Sequence, residues 1–386
     1  MKIRCLLTLA MMLAAVTSGT SQEAIRAVPR VVSPEIHPDN TVTFRYFAPK
    51  ASTVGINGDF TGVPAPMTKG DNGVWEFTTP VLSPELYGYW FLVDSVRTMD
   101  PSNVFAIRDV ATVTNVFLID EPGSKAHLYR VNDVPHGTVS RVWYHSPTLG
   151  FNRRMTIYTP PGYEDSGENY PVLYLLHGSG GDEEAWISLG RTAQILDNLI
   201  AQGQAEPMIV VMTNGNPSQE AAPGESSEGY INPTASVTRM NRGTFEESFP
   251  DVVNYIDSHY RTKPDKQHRA IAGLSMGGFH SLHISKEYPD IFDYIGLFSA
   301  AIWPPADSTN PVYKDMEGKL KTQFAAKPSL YWIAIGDNDF LYNDNVKYRE
   351  LLDSMNLHYT YVETGGGHMW RNWRIYLSEF VPLLFR

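Results

Sequence analysis

The segment "IAGLSMGG" at 271–278 sets Ser275 between Gly273 and Gly277, after an apolar run and ahead of "GFHSLHISKEYP", which reads as a helix. A serine on a sharp strand-to-helix turn needs glycine two residues to either side, because side chains there would clash. Its hydroxyl is a poor nucleophile at neutral pH. It requires a base to take its proton and a third group to hold that base in one tautomer. The pattern predicts acyl transfer, provided an acid and a histidine follow in that order.

Both follow. "AIGDNDF" places Asp337 and Asp339 just after the apolar run "SLYWIAI", and "ETGGGHMW" places His368 on a glycine-rich loop after the last such run. Ser275, the aspartate pair and His368 all fall at the carboxyl ends of predicted strands, where catalytic groups gather in open parallel sheets. The spacing alone leaves Asp337 and Asp339 both open as the acid. A tetrahedral intermediate needs two backbone donors. The amide of Met276, directly after the serine, is one, and "LLHGSGGDEEAW" supplies the other, assigned to Ser179. His177 in that stretch reads as a loop-structuring residue.

Other candidates are less specific. His280 and His283, three apart on the predicted helix, come with no HExxH motif and no convincing carboxylate set, so they read as packing residues and no metal is expected. Trp186, Trp303 and Trp370 sit near strand carboxyl ends, and each is a candidate for substrate binding in an aryl pocket or for core packing. The polar, Gly/Pro/Ser-rich segment 214–243 is either a linker-like loop or a wall of a binding site.

The elements that must position these residues divide in two. From about Val31 to Leu118 apolar residues alternate, as in "TVTFRYF" and "GVWEFTT", with turn material "NGDFTG" and "KGDNG" between them, predicting a small all-β immunoglobulin-like sandwich over 30–125. A linker-like stretch, "DEPGSKAHLYRVNDVPHG", follows. Over 130–386 short apolar runs at 171, 208, 269, 294, 329 and 358 alternate with amphipathic segments such as "TAQILDNLIAQG" and "FEESFPDVVNYIDSHY". Buried strands alternating with helices predict an α/β domain with a mostly parallel sheet.

Lys2 and Arg4 precede the apolar run Leu6 to Val16 and then "TSGTS", so residues 1–21 read as a signal peptide, and a secreted or periplasmic protein is expected. Its removal takes two cations from a chain whose formal charge is −11. An acidic chain without a basic run is a poor partner for nucleic acid or anionic membrane surfaces, whereas neutral polysaccharide stays open. The lone cysteine, Cys5, falls within the leader, which leaves no thiol for a nucleophile, disulfide or metal ligand.

Residues 130–386 resemble the esterase D type of α/β-hydrolase, and carbohydrate esterase family one in particular, through "HGSGGDEEAW", "GLSMGG", "GDND", "GGGHMW" and the entrance "TPPGYEDSGENYPVLYLLHG". The resemblance implies an α/β-hydrolase fold with Ser275 as nucleophile, His368 as base and, from the second aspartate of "GDND", Asp339 as acid. It implies a feruloyl esterase acting on arabinoxylan without cofactor or metal. An acetylxylan esterase, a siderophore-ester hydrolase and a noncatalytic glycan-binding protein are the alternatives. Feruloylated or acetylated xylan is the partner so implied. The first domain is similar to carbohydrate-binding module family forty-eight in "FRYFAPKASTVGINGDFTG" and "YGYWFLVDSVRTMDPSN". It has Val63 where that module commonly has tryptophan, so a structural or site-shaping role is as well supported as glycan binding.

Overall fold

The computed structural model describes residues 31–230, 232–235 and 240–386. The leader expected at 1–21, with Cys5, lies outside the described residues. No helix among the described residues is long and apolar enough to cross a membrane.

Residues 35–119 form two sheets of four and six strands. Alternation along the strand Glu85–Val93 explains the layering. Tyr87, Tyr89 and Phe91 face Phe44, Ile56 and Phe117 in the sandwich core, while Leu86, on the other side of the same strand, faces the second domain. Phe44 stands at the centre, with ring centroids 4.7 Å from Tyr89 and 5.5 Å from Phe117. Each such side chain contributes about 1.5–3 kcal/mol by leaving water.

The second domain is one eight-stranded sheet: β1 (Thr138–Ser146), β2 (Phe151–Thr159), β3 (Val172–Leu176), β4 (Ile209–Thr213), β5 (Arg269–Leu274), β6 (Tyr294–Phe298), β7 (Leu330–Gly336) and β8 (Thr360–Thr364). The spatial order is β1-β2-β4-β3-β5-β6-β7-β8. The six apolar runs of the sequence are the parallel strands β3 to β8, and β2 alone runs antiparallel to both its neighbours, so the sheet is mixed. The chain leaves central β3 for β4 on one side and returns to β5 on the other. That reversal opens a crevice at the carboxyl ends of β3 and β5.

Successive residues of the strands serve opposite faces, which is why these runs are apolar throughout. In β5, Ala270 and Ala272 meet α1 (Thr192–Ala201) and α6 (Trp370–Phe380); Ile271 meets the core under α2 (Thr244–His259), α3 (Met276–Glu287), α4 (Met316–Ala325) and α5 (Tyr342–Ser354). The sandwich joins the first of these faces through Leu86, Ile107 and Val116. An ion pair fixes the junction: Arg374 of α6 donates to Glu85 at 2.9 Å and to the Leu86 carbonyl at 3.2 Å, all buried. Removing one partner of such a pair costs about 3–5 kcal/mol. The stretch expected to be linker-like is packed instead. Lys125–Tyr129 forms a turn of 3-10 helix whose Ala126 and Tyr129 enter the same core, and Arg191 donates to the Tyr129 carbonyl at 2.9 Å. Its few apolar residues suffice because the junction has a groove to receive them.

Candidate active site

Ser275 links β5 to α3 with φ 52 and ψ −113, a positive-φ conformation outside the left-handed helical well that costs a non-glycine residue about 1–3 kcal/mol. Its backbone is held on both sides: its amide donates to Phe298, and its carbonyl accepts from Phe279 and Ala301. The glycines around it are demanded by close approach. A Cβ on Gly273 would collide with the backbone of Gly277, and one on Gly277 with the carbonyl oxygens of Leu176 and His177. Gly278 is equally confined, 2.5 Å from the Ala300 Cβ on the same test.

His368 stands at the β8 to α6 connection, with Nδ1 3.0 Å and 2.8 Å from the two carboxylate oxygens of Asp339. This fixes a tautomer in which Nδ1 donates and Nε2 is left to accept. The ring is clamped between Phe340 and Trp373, at 4.4 Å and 5.0 Å between centroids. The Asp339 side chain has no exposed surface. Burial pushes its carboxyl up, but the hydrogen bonds from His368 and the Leu341 amide outweigh burial and hold it below the usual range. Asp337, the other candidate, faces away: it accepts from the Gly366 amide at 2.9 Å and so pins the glycine loop that carries His368.

His368 and Ser275 line one cavity of about 830 Å³, together with Ser179, Met276, Phe340 and Trp370. No hydrogen bond joins the serine hydroxyl to the imidazole among the described residues; such contacts commonly tighten only when substrate is bound. The Met276 amide opens α3 and has no helical partner, so it carries the partial positive charge of a helix start. The loop after β3 lies against the elbow, since a Cβ on Gly178 would sit 2.5 Å from Leu274 Cδ1 and 3.3 Å from Ser275 Cβ. His177 structures that loop: Nδ1 donates to the Gly178 carbonyl and Nε2 accepts from the Gly215 amide, each at 2.7 Å. Burial pushes its imidazole down to about 4, so it stays neutral.

Of the three tryptophans, only Trp370 lines the cavity. Trp186, 1% exposed, donates to the Leu176 carbonyl at 2.8 Å and packs edge-on to Trp370, so it is core and not a substrate contact. Trp303, 41% exposed, packs edge-on to Tyr348 outside the cavity lining. Proximity to a strand end could not say which way either ring turns. His280 and His283 are buried on α3, bonded to Glu246 at 2.8 Å and to the Ile302 carbonyl at 3.2 Å. The described residues of segment 214–243 include part of the cavity wall, to which Ala222, Pro223, Glu225 and Asn241 contribute.

Two contributors carried no signal in the sequence. One is a polar rim of crossed ion pairs, Arg154 to Glu183 at 2.7 Å and to Glu225 at 2.9 Å, and Arg141 to Glu184 at 2.6 Å. The other is the sandwich itself, whose Arg108, Asp109 and Val110 reach the cavity. Neither has a motif, because the residues are scattered along the chain and meet only in space.

Comparisons with known proteins agree with this layout. The family model described as Esterase matches residues 146–384, and that of carbohydrate-binding module 48, the isoamylase N-terminal domain, matches 32–103. A bacterial endo-1,4-beta-xylanase/feruloyl esterase from Xylanibacter ruminicola is 30% identical over 286 residues, covering 72% of this chain and 37% of its own length. The chain thus spans well under half of that relative, and 42% of an esterase from Mycobacterium tuberculosis. Among solved structures, a ferulic acid esterase matches with TM-score 0.51 and 25% identity, covering 64% of this chain and 97% of its own. The enterobactin esterase from Shigella flexneri shares the fold over 88% of this chain and 92% of its own, with TM-score 0.61 and 16% identity.

Proposed function

The chain belongs to the Esterase family of carboxylic ester hydrolases, and we propose that it is a serine esterase releasing ferulate and related hydroxycinnamates from arabinoxylan side chains. The observation that carries this reading is the paired contact of His368 Nδ1 with Asp339 at the edge of the cavity that also holds the strained Ser275. With Nδ1 engaged, Nε2 takes the proton as the Ser275 oxygen bonds to the ester carbonyl carbon. The amides of Met276 and Ser179 receive the oxyanion. The carbon–oxygen bond to the sugar then breaks, and His368 returns the proton to the leaving alcohol. Water repeats the route, freeing the acid and restoring Ser275.

Preference for an aryl acyl group over acetyl is supported by a cavity of about 830 Å³ with Phe340 and Trp370 on its walls, far larger than an acetyl group fills. The names of the relatives, feruloyl esterase and ferulic acid esterase, point the same way. Export under the 1–21 leader belongs to this proposal. N-terminal sequencing of protein recovered outside the cytosol tests it.

The decisive experiment measures turnover of methyl ferulate, feruloylated xylan and acetylated xylan side by side, with Ser275→Ala as control. Preference for the two feruloyl esters is expected, with S275A lowering kcat by about 10⁶-fold, the scale set by loss of a serine nucleophile. Preference for acetylated xylan would move the assignment to an acetylxylan esterase. Full activity in S275A would end the serine mechanism.

A further inference from the structure

We propose that the tip of the sandwich's last hairpin, Arg108 to Val110, positions the Ser179 amide, which makes the first domain a working part of the esterase and not only a glycan-binding appendage. This rests on the reaction proposed above.

The loop 177–182 is anchored on both sides. On its amino side His177 is bonded into the hydrolase core through Gly215, and Gly178 lies against Leu274. On its carboxyl side Asn216 of the hydrolase domain donates to the Gly181 carbonyl at 2.9 Å, and two further anchors come from the other domain. The strands Ala106–Asp109 and Thr112–Ile119 pair antiparallel, and their turn carries Val110 onto Gly180. The fit is close: a Cβ at Gly180 would lie 2.9 Å from both γ-carbons of Val110. Two residues on, Arg108 forms an ion pair with the buried Asp182, while its other nitrogen donates to the Val110 carbonyl at 2.9 Å. Asp182 in turn accepts from the Glu184 amide at 3.0 Å, which carries the grip into the next turn.

Ser179 lies between these anchors, and its own side chain is exposed, its hydroxyl donating to the Met240 sulfur at 3.7 Å. Its amide is therefore placed by its neighbours. An oxyanion donor works only within a few tenths of an ångström, and a displacement of about 1 Å can lower the rate about 10²-fold. The hairpin tip also carries strain. Val110 has φ 51, a left-handed conformation in which a β-branched residue is a genuine outlier. Such strain persists only where surrounding contacts enforce it, and here they are the packing of Val110 on Gly180 and the Arg108 bond to its carbonyl, with Arg108 itself paired to Asp182.

The test uses the full chain and small esters that have no glycan to bind. Val110→Gly and Arg108→Gln each cut one anchor; Val110→Ile keeps the branched contact. For V110G and R108Q, kcat on methyl ferulate is expected to fall about tenfold or more with KM within about twofold, the signature of an interaction made only in the transition state. Inhibition by an aryl boronic acid, whose tetrahedral adduct occupies the oxyanion position, should weaken by a similar factor, and V110I should recover both. Thermal midpoints within a few degrees of wild type exclude unfolding as the cause. If V110G or R108Q retains wild-type kcat and boronate affinity, or loses activity only on feruloylated xylan, the positioning role is wrong. A wild-type chain that turns over no ester at all would sink the function proposed above instead.

Discussion

Ser275 and Val110 share an uncommon backbone, φ 52 and φ 51, and both face the same cavity. One is visible in the sequence and the other is not. At Ser275 the constraint is crowding of the turn: a Cβ at 273 would meet Gly277, one at 277 the Leu176 and His177 carbonyls, and one at 278 Ala300, so glycine must be written at each. At Val110 the constraint is distant. Gly180 and Asp182, in another domain, hold the tip in place, and the hairpin "RDVATV" needs no glycine to record it. A turn with no room for a Cβ leaves glycines at fixed spacing in one short segment, whereas a strained tip held by its contacts with another domain leaves no motif in its own hairpin.

The comparison can be broken or sharpened by substitution, beginning with the loss of about 10⁶-fold in kcat expected for S275A. Next, Asp339→Asn should lower kcat by about 10⁴-fold by forcing the wrong imidazole tautomer. Asp337→Ala, which frees the Gly366 amide and the Asn338 side chain, should lower it about tenfold or less, and equal losses in the two variants would erase the distinction between the aspartates. The depressed Asp339 carboxyl stabilises the fold fully above about pH 4, and that stabilisation is lost as pH falls through its lower folded value. The difference in thermal midpoint between wild type and D339N should shrink over that range.

Gly277→Ala should lower stability by about 3 kcal/mol, because its Cβ meets carbonyl oxygens that cannot move. Val110→Gly should change stability by less than about 1 kcal/mol, since relief of strain offsets the lost packing. Denaturant midpoints read both, and a reversed order would refute the contrast between the crowded turn and the strained tip. His177 tests the loop between them. Its imidazole titrates near 4 folded against about 6.5 unfolded, so stability should fall by on the order of 3 kcal/mol as pH drops from 6.5 to 4. His177→Asn should flatten that dependence in thermal scans.

Much of the second domain was legible. Strands buried on both faces must be largely apolar, which made β3 to β7 legible, and the sixth run, from 358, became the half-exposed edge strand β8. The edge strand β1 and its neighbour β2 are less legible because "TVSRVWYHS" and "FNRRMTIYT" mix arginines with their apolar residues: Arg141 and Arg154 face the polar rim, while Arg153 is buried against the carbonyls of Asn214 and Asn216. The order of serine, acid and histidine was legible; the choice between Asp337 and Asp339 turned on one tight turn. Trp186 and Trp303 had the right type and place in the chain but the wrong direction.

Sequence by itself determined the layers of strands, the elbow with its glycines, and the residues able to move a proton, because periodicity and closely spaced motifs record each of them. Tertiary structure set Asp339, the aspartate that the GDND resemblance implied, against the imidazole, and it alone decided which aromatic rings reach the cavity and that the sandwich leans on the loop beside Ser275. Those are directions and distances between segments far apart in the chain. Packing sets them, and no single segment encodes them.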